Sequence, residues 1–194
     1  MLGFVTGLAR LMALLGGVVL TALVTLTCVS VLGRGLNALG HSDMVEGGLP
    51  AFGAWLIGTG VGPILGDYEL VQAGMAFAIF AFLPLCQLYA SHATVDVFTN
   101  MMPRPATRFL TAFWEVVLAL VIVVLGWRLF VGFTEKLDNG QTTFLLQFPV
   151  WWAYGASFVA AVVAGLVGVY CAVARVLEVS TGRSYLPGAE RSEP

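Results

Sequence analysis

Few side chains in this sequence are equipped for chemistry. Glu115 is the one ionisable residue well inside an apolar run, which extends from about Ala106 to Phe130. A carboxylate at membrane depth can pair with a group on another subunit or pass a proton. Only two turns from the end of its run, Glu115 can equally be wetted at the surface. The two histidines, His41 and His92, are of a type that ligates haem iron. With both chain ends on one side of a membrane they fall at opposite faces, so a bis-histidine haem is not open to this chain alone. Cys28, Cys86 and Cys171 sit in apolar runs without a Cys-x-x-Cys spacing and read as small buried hydrophobes. No HExxH, GxSxG or phosphate-cradling glycine loop occurs. Nothing here converges on a nucleophile, an acid or a metal. No catalytic residue, metal or cofactor is expected.

The polar residues gather instead at the two ends of one stretch, Gly66 to Asn100. Asp67 and Glu69 open it. Asp67 is a good N-cap type, and Glu69 then lies in the first turn beside the positive end of the helix dipole. An uncharged run of 22 residues follows, Leu70 to Ser91, about 33 Å of helix and enough to cross a hydrocarbon core. Pro84 predicts a kink inside it. Gln72 and Gln87 carry amides that need partners. Gln87 either packs with Pro84 against another helix or lies wet among headgroups. At the far end His92 and Asp96 are four apart and share a face of any continuing helix. Val95, Phe98 and Met102 would line the other side of a short interfacial helix, which Pro103 and Pro105 stop. Asp96 either caps that turn, with Arg104 and Arg108 nearby, or is a solvated loop acid.

These ends must be held by a membrane fold. The chain of 194 residues is 59% hydrophobic and 10% charged, against about 25% charged in an ordinary soluble domain. Mean hydropathy is +0.91. Nine scattered Lys and Arg residues form no nucleic-acid patch. An all-α integral membrane fold is expected, a single membrane domain over 1–194 with four spans near 11–32, 70–91, 106–130 and 149–177. The first apolar run is too long for a signal peptide and reads as an uncleaved span. Residues 35–66 are too broken by glycine and proline to span. They read as an extracytoplasmic loop with an interfacial or re-entrant piece near Ala51 to Ile57. Phe144, Leu145 and Leu146 read as touching the membrane surface. Trp151, Trp152 and Tyr154 form an aromatic belt at the start of span four. Residues 178–194 read as a polar cytoplasmic tail.

Two spans carry rows of small residues, which permit close helix approach in membranes. Span one has Ala13, Gly17, Thr21 and Thr25. Span four has Ala153, Ser157, Ala161 and Gly165, and beside it Ala160, Ala164, Gly168 and Ala172. One of the span-four rows is expected to face a partner subunit. Six of the nine basic residues (Arg10, Arg104, Arg108, Arg175, Arg183, Arg191) fall on the side of the termini, and three (Arg34, Arg128, Lys136) on the other. The positive-inside rule then places both termini in the cytoplasm.

The order of Gly33-Arg34, Gly66 to Leu70, His92 with Val95-Asp96, Pro103, and Pro149 to Tyr154 resembles the small, DctQ-like membrane subunit of TRAP (tripartite ATP-independent periplasmic) transporters. The family usually has glycine before the histidine; here it is Ser91. The resemblance implies a non-catalytic subunit of a sodium-coupled transporter in a bacterial inner membrane. It implies pairing with a large membrane subunit that binds solute and moves as an elevator, and a periplasmic solute-binding protein as second partner. Asp67, Glu69, Pro84, Gln87, His92, Asp96, Arg104, Arg108, Glu115, Ala160, Ala164, Gly168 and Ala172 are then structural or partner-interface candidates. A membrane anchor of a redox enzyme and a stand-alone small transporter are the other readings. A haem absorption band marks the first, and uptake by vesicles holding only this chain marks the second.

Overall fold

The computed structural model describes residues 2–42, 47–89 and 104–181. Among these, the helices are α1 (Leu2–Gly40), α2 (Pro50–Gly58), α3 (Asp67–Leu88), α4 (Arg104–Asn139) and α5 (Val150–Thr181). All but α2 are long and apolar enough to cross a membrane, so the fold is an all-α, four-span membrane protein.

Helix ends differ from the apolar-run boundaries, because apolarity marks the hydrocarbon and not the end of backbone pairing. At 1.5 Å per residue the 39 residues of α1 extend about 58 Å, so it overshoots its expected span 11–32 at both ends. Residues 35–40 are helix, not loop. Polar residues do not break a helix; glycine in the left-handed region and proline do. Hence Glu135, Lys136 and Asp138, which fall between the expected spans 106–130 and 149–177, lie in the last turns of α4, which ends before Gly140 at φ +58°. Helix α5 runs on to Thr181. Helix α3 begins at Asp67, and its N-cap is Gly66 at φ +79° with no side-chain cap. Asp67 is therefore the first helical residue and not the cap. The proposed short helix at His92 to Met102 lies outside the described residues.

The four spans form an open row in the order α1, α3, α5, α4. Helix α5 packs on α4 and α3, and α1 packs on α3. The α1–α3 seam is an antiparallel register of sevens. Ala9 clusters with Leu88. A Cβ on Gly16 would lie 2.9 Å from the Cβ of Ala81, and one on Gly74 would lie 2.9 Å from Leu23. Ser30 meets Asp67. Each pair is one heptad along both helices, the spacing that keeps one stripe facing a partner. On α4 the buried stripe is Ala112, Glu115, Ala119 and Ile122, at the three-and-four spacing of a helix face.

Candidate functional site

The Asp67 end of the row is tied together by a tetrapeptide. Gly66 needs its positive φ and its bare Cα, since a Cβ there would lie 2.5 Å from Leu146. Asp67 then points to α1. Its Oδ2 accepts from the buried Ser30 hydroxyl and, at 3.0 Å, from Arg34. Its Oδ1 accepts from the Tyr68 N–H at 2.8 Å. Two residues on, Glu69 points the other way. Its carboxylate accepts the Leu145 N–H at 2.7 Å and the Leu146 N–H at 3.0 Å. Hydrogen bonds to a carboxylate are among the stronger ones. Gly66 to Glu69 thus joins the connector before α3, helix α1 and the α4–α5 loop.

The connector 59–66 is stitched to α1 along its length. Ile64 N–H donates to Ser30 Oγ at 3.3 Å and Asn37 donates to the Val61 carbonyl at 3.0 Å. Gly33 lies so close to Gly62 that a Cβ would overlap its carbonyl oxygen.

At the Leu88 end, Arg10 donates to the Tyr89 hydroxyl at 3.3 Å. Gln87 and Pro84 are buried between helices. The Gln87 amide lies over Gly168 of α5, where a Cβ would be 2.9 Å from both its polar atoms. Neither of those atoms has a hydrogen-bond partner among the described residues. Glu115 is 7% exposed, so its carboxylate is inside the chain and not at the lipid surface. Arg175 of α5, itself buried and bonded to Glu178 at 2.8 Å, is within electrostatic range of it.

Ala160, Ala164, Gly168 and Ala172 are all buried within the chain, and so are Ser157, Ala161 and Gly165. Both α5 rows face α3 and α4. The expectation that one of them faces a partner subunit is corrected, because α5 sits in the middle of the row. The row of α1 is open. A Cβ on Gly17 meets nothing within 4 Å, and Ala13, Gly17, Thr21 and Thr25 line an open apolar groove of about 860 Å³. The hydroxyls of Thr21 and Thr25 are spent on the carbonyls of Gly17 and Thr21, so the groove presents methyl groups. His92 and Asp96 lie outside the described residues. Arg104 and Arg108 lie in the first turns of α4, their side chains outside the described ones.

Sequence reasoning missed Ser30, the Glu69 clamp and the α1–α3 register. A search for matched sevens, 9-16-23-30 against 67-74-81-88, would have found the register and placed Ser30 opposite Asp67. The clamp spans 76 residues and leaves no local signal.

A family model described as "Tripartite ATP-independent periplasmic transporters, DctQ component" matches residues 56–179, well over half of the chain. The match begins after α1, so Gly33-Arg34 lies outside it. No curated protein and no solved structure matches the chain.

Proposed function

The chain belongs to the DctQ family of TRAP transporters, and on that membership we propose how this small, non-catalytic permease subunit works. It pairs with the large membrane subunit through the open edge of α1 and widens the fixed scaffold for an elevator movement in that partner. Solute and sodium bind in the partner. Both termini lie in the cytoplasm of a bacterial inner membrane, as the distribution of Lys and Arg favours. The Asp67 end then faces the periplasm, where a solute-binding protein docks, and His92, Asp96, Arg104 and Arg108 order the cytoplasmic turn. Residues 1–194 work as one membrane domain. Membership of a transporter family leaves the redox-anchor reading without support.

One observation carries the pairing. The exposed apolar face of α1 does not stop where the bundle's charges do. From Leu32, just before Arg34, Leu36 and Leu39 continue it past that charge, and Gly40 lies six residues, about 9 Å, beyond it. Lipid covers apolar surface only as far as the headgroups, so this strip calls for a protein neighbour. Below it the same face is a groove with a row of small residues along it, which suits a helix better than acyl chains. The test is co-purification with the large subunit. Gly17→Leu with Thr21→Leu should release the large subunit while the chain itself stays monodisperse. Undiminished recovery of the large subunit would refute the α1 edge as the interface.

A further inference from the structure

The loop between α4 and α5 is short, yet it is pinned at several points. Val150 N–H donates to the Gln141 carbonyl at 2.9 Å and Thr143 N–H to the Phe148 carbonyl at 3.0 Å. Phe148 N–H donates to the Thr143 hydroxyl at 3.3 Å. Gln147 takes a positive φ of 53°, a conformation that non-glycine residues seldom adopt. These bonds close the loop on itself and turn its tip, Phe144-Leu145-Leu146, outward. The Glu69 carboxylate then holds that tip from α3 through the N–H groups of Leu145 and Leu146.

What is held is apolar and open. Phe144 is 90% exposed, Leu145 55% and Leu146 40%. Around the clamp, Leu65 is 76% and Tyr68 75% exposed. A loop meant for water would spread charge over such a tip. Here no Asp, Glu, Lys or Arg occurs from Gly140 to Ala174, so the loop belongs to the same uncharged run as the span that follows. It leads directly into Trp151, Trp152 and Tyr154, the residue types that settle at membrane–water boundaries. Its tip meets Gly66 and Glu69, at the start of the apolar part of α3. The tip therefore stands level with the edge of the hydrocarbon and not above it.

We propose that Phe144, Leu145 and Leu146 form a membrane-inserted hook, sunk among the lipid chains of the leaflet at the Asp67 end, with Glu69 as the positioning residue that holds it there. The occupant of this surface is a lipid leaflet. Two open carboxylate bonds to a loop backbone would be an odd expense for a segment free in water, but they fix the depth of an anchor. Anchoring at this point ties the α4–α5 hairpin and the start of α3 to one membrane level. The inference concerns the chain and its bilayer and does not depend on which subunit binds α1.

The test places a spin label at position 144 (Phe144→Cys, with Cys28→Ala and Cys86→Ala) in the full chain in phosphatidylethanolamine/phosphatidylglycerol nanodiscs. Collision with oxygen, which concentrates in lipid, is compared with collision with a nickel chelate, which stays in water. Asn139→Cys, at the exposed end of α4, is the aqueous reference. Oxygen should dominate at 144 and nickel at 139. Nickel dominance at 144 overturns the proposal. So does exclusion of both reagents, or loss of the oxygen signal when the large subunit is co-purified, because either result means that protein covers the hook. Adding Glu69→Gln should shift the 144 ratio towards the aqueous reference and sharpen the label's spectrum. A ratio unchanged in both Glu69→Gln and Glu69→Ala removes Glu69 from the proposal's mechanism and overturns it in that form.

Discussion

Helices α1 and α5 carry the same kind of surface and use it in opposite ways. Each has small residues every fourth position. On α5 both rows are closed by α3 and α4, and half of its most apolar window is buried (50%). On α1 the corresponding share is 11%, and the row 13-17-21-25 lines an open groove. A small-residue row therefore announces a close neighbour without saying whose it is. Position in the row of helices decides that. The other free edge, α4, is of a different kind, with Phe109, Phe113, Trp114, Leu120 and Trp127 exposed. The edge of α1 is a groove along a row of small residues, whereas that of α4 carries exposed aromatics.

The largest effects should come from filling a closed row. Gly168→Leu drives a branched side chain into the Gln87 amide, and Gly16→Leu drives one into Ala81. Overpacking of this kind costs about 1–3 kcal/mol and sometimes more. Both variants should lower the melting temperature and the monodisperse yield of the chain purified alone in detergent. Normal melting of Gly168→Leu would mean that the α3–α5 seam is looser than its geometry.

Gly17 gives the sharpest contrast, because it is the next residue along α1. Gly17→Leu should melt like the unaltered chain, and its defect should appear only when the large subunit is co-expressed and pulled down. Leu120→Ala on the α4 edge should change neither measurement. If Gly16→Leu and Gly17→Leu behave alike on the isolated chain, the two faces of α1 are not distinct and the comparison fails.

The sequence shows why one of these faces was legible and the other was not. The charge-free run Gly47–Gly66 is too broken by glycine and proline to span. Three long charge-free runs (Leu11–Gly33, Leu70–Ser91 and Gly140–Ala174) and the apolar run around Glu115 read as spans, because backbone groups in hydrocarbon must pair within a helix. Their ends were not legible, since Glu135 and Lys136 are as comfortable in a helix above the membrane as in a loop. The four-residue ridge of α1 stands out because its residues are all small. The seven-residue stripe Ala9, Gly16, Leu23, Ser30 mixes small and large, and becomes visible only beside its complement on α3, where Gly74 faces Leu23 and Leu88 faces Ala9. The Gln87 amide needs a neighbour by its chemistry alone. That the neighbour is the bare Cα of Gly168 depends on the register of two helices, which no local pattern carries.

A smaller effect is expected at the charged position of the closed seam. Breaking a buried ion pair by removing one partner costs about 3–5 kcal/mol in general. Glu115→Leu should fall well short of that, because Arg175 keeps its bond to Glu178. Glu115→Gln should be close to neutral. Arg175→Leu takes away the cation that both carboxylates face, and its melting temperature should be the lowest of the three. A Glu115→Leu chain that melts as low as Arg175→Leu would show Glu115 to be the main counter-charge.

The smallest effect belongs to the charge pair on the open helix. Arg34 and Asp67 are 3.0 Å apart, but the Arg34 side chain is 60% exposed and Asp67 19%. Exposed pairs contribute little to stability, so Arg34→Ala should leave the melting curve where it is. Asp67 does more than pair with Arg34. It accepts from Ser30, whose hydroxyl is fully buried and also receives the Ile64 N–H. Asp67→Asn keeps an acceptor for that hydroxyl. Asp67→Ala does not, yet Ser30 has an escape. Thr21, Thr25 and Thr27 on the same helix all donate to the carbonyl four residues back, and Ser30 can turn to do likewise. That turn swings Oγ away from Ile64 and loosens the connector before α3. The signature is therefore local. Amide exchange at Ile64 and Tyr68 should quicken in the order Arg34→Ala, Asp67→Asn, Asp67→Ala, with melting unchanged. Equal exchange in Arg34→Ala and Asp67→Ala would show the charge pair, and not the hydroxyl, to hold the connector. The α1–α3 seam would then be held at that end by electrostatics, where the seams of α5 are held by packing.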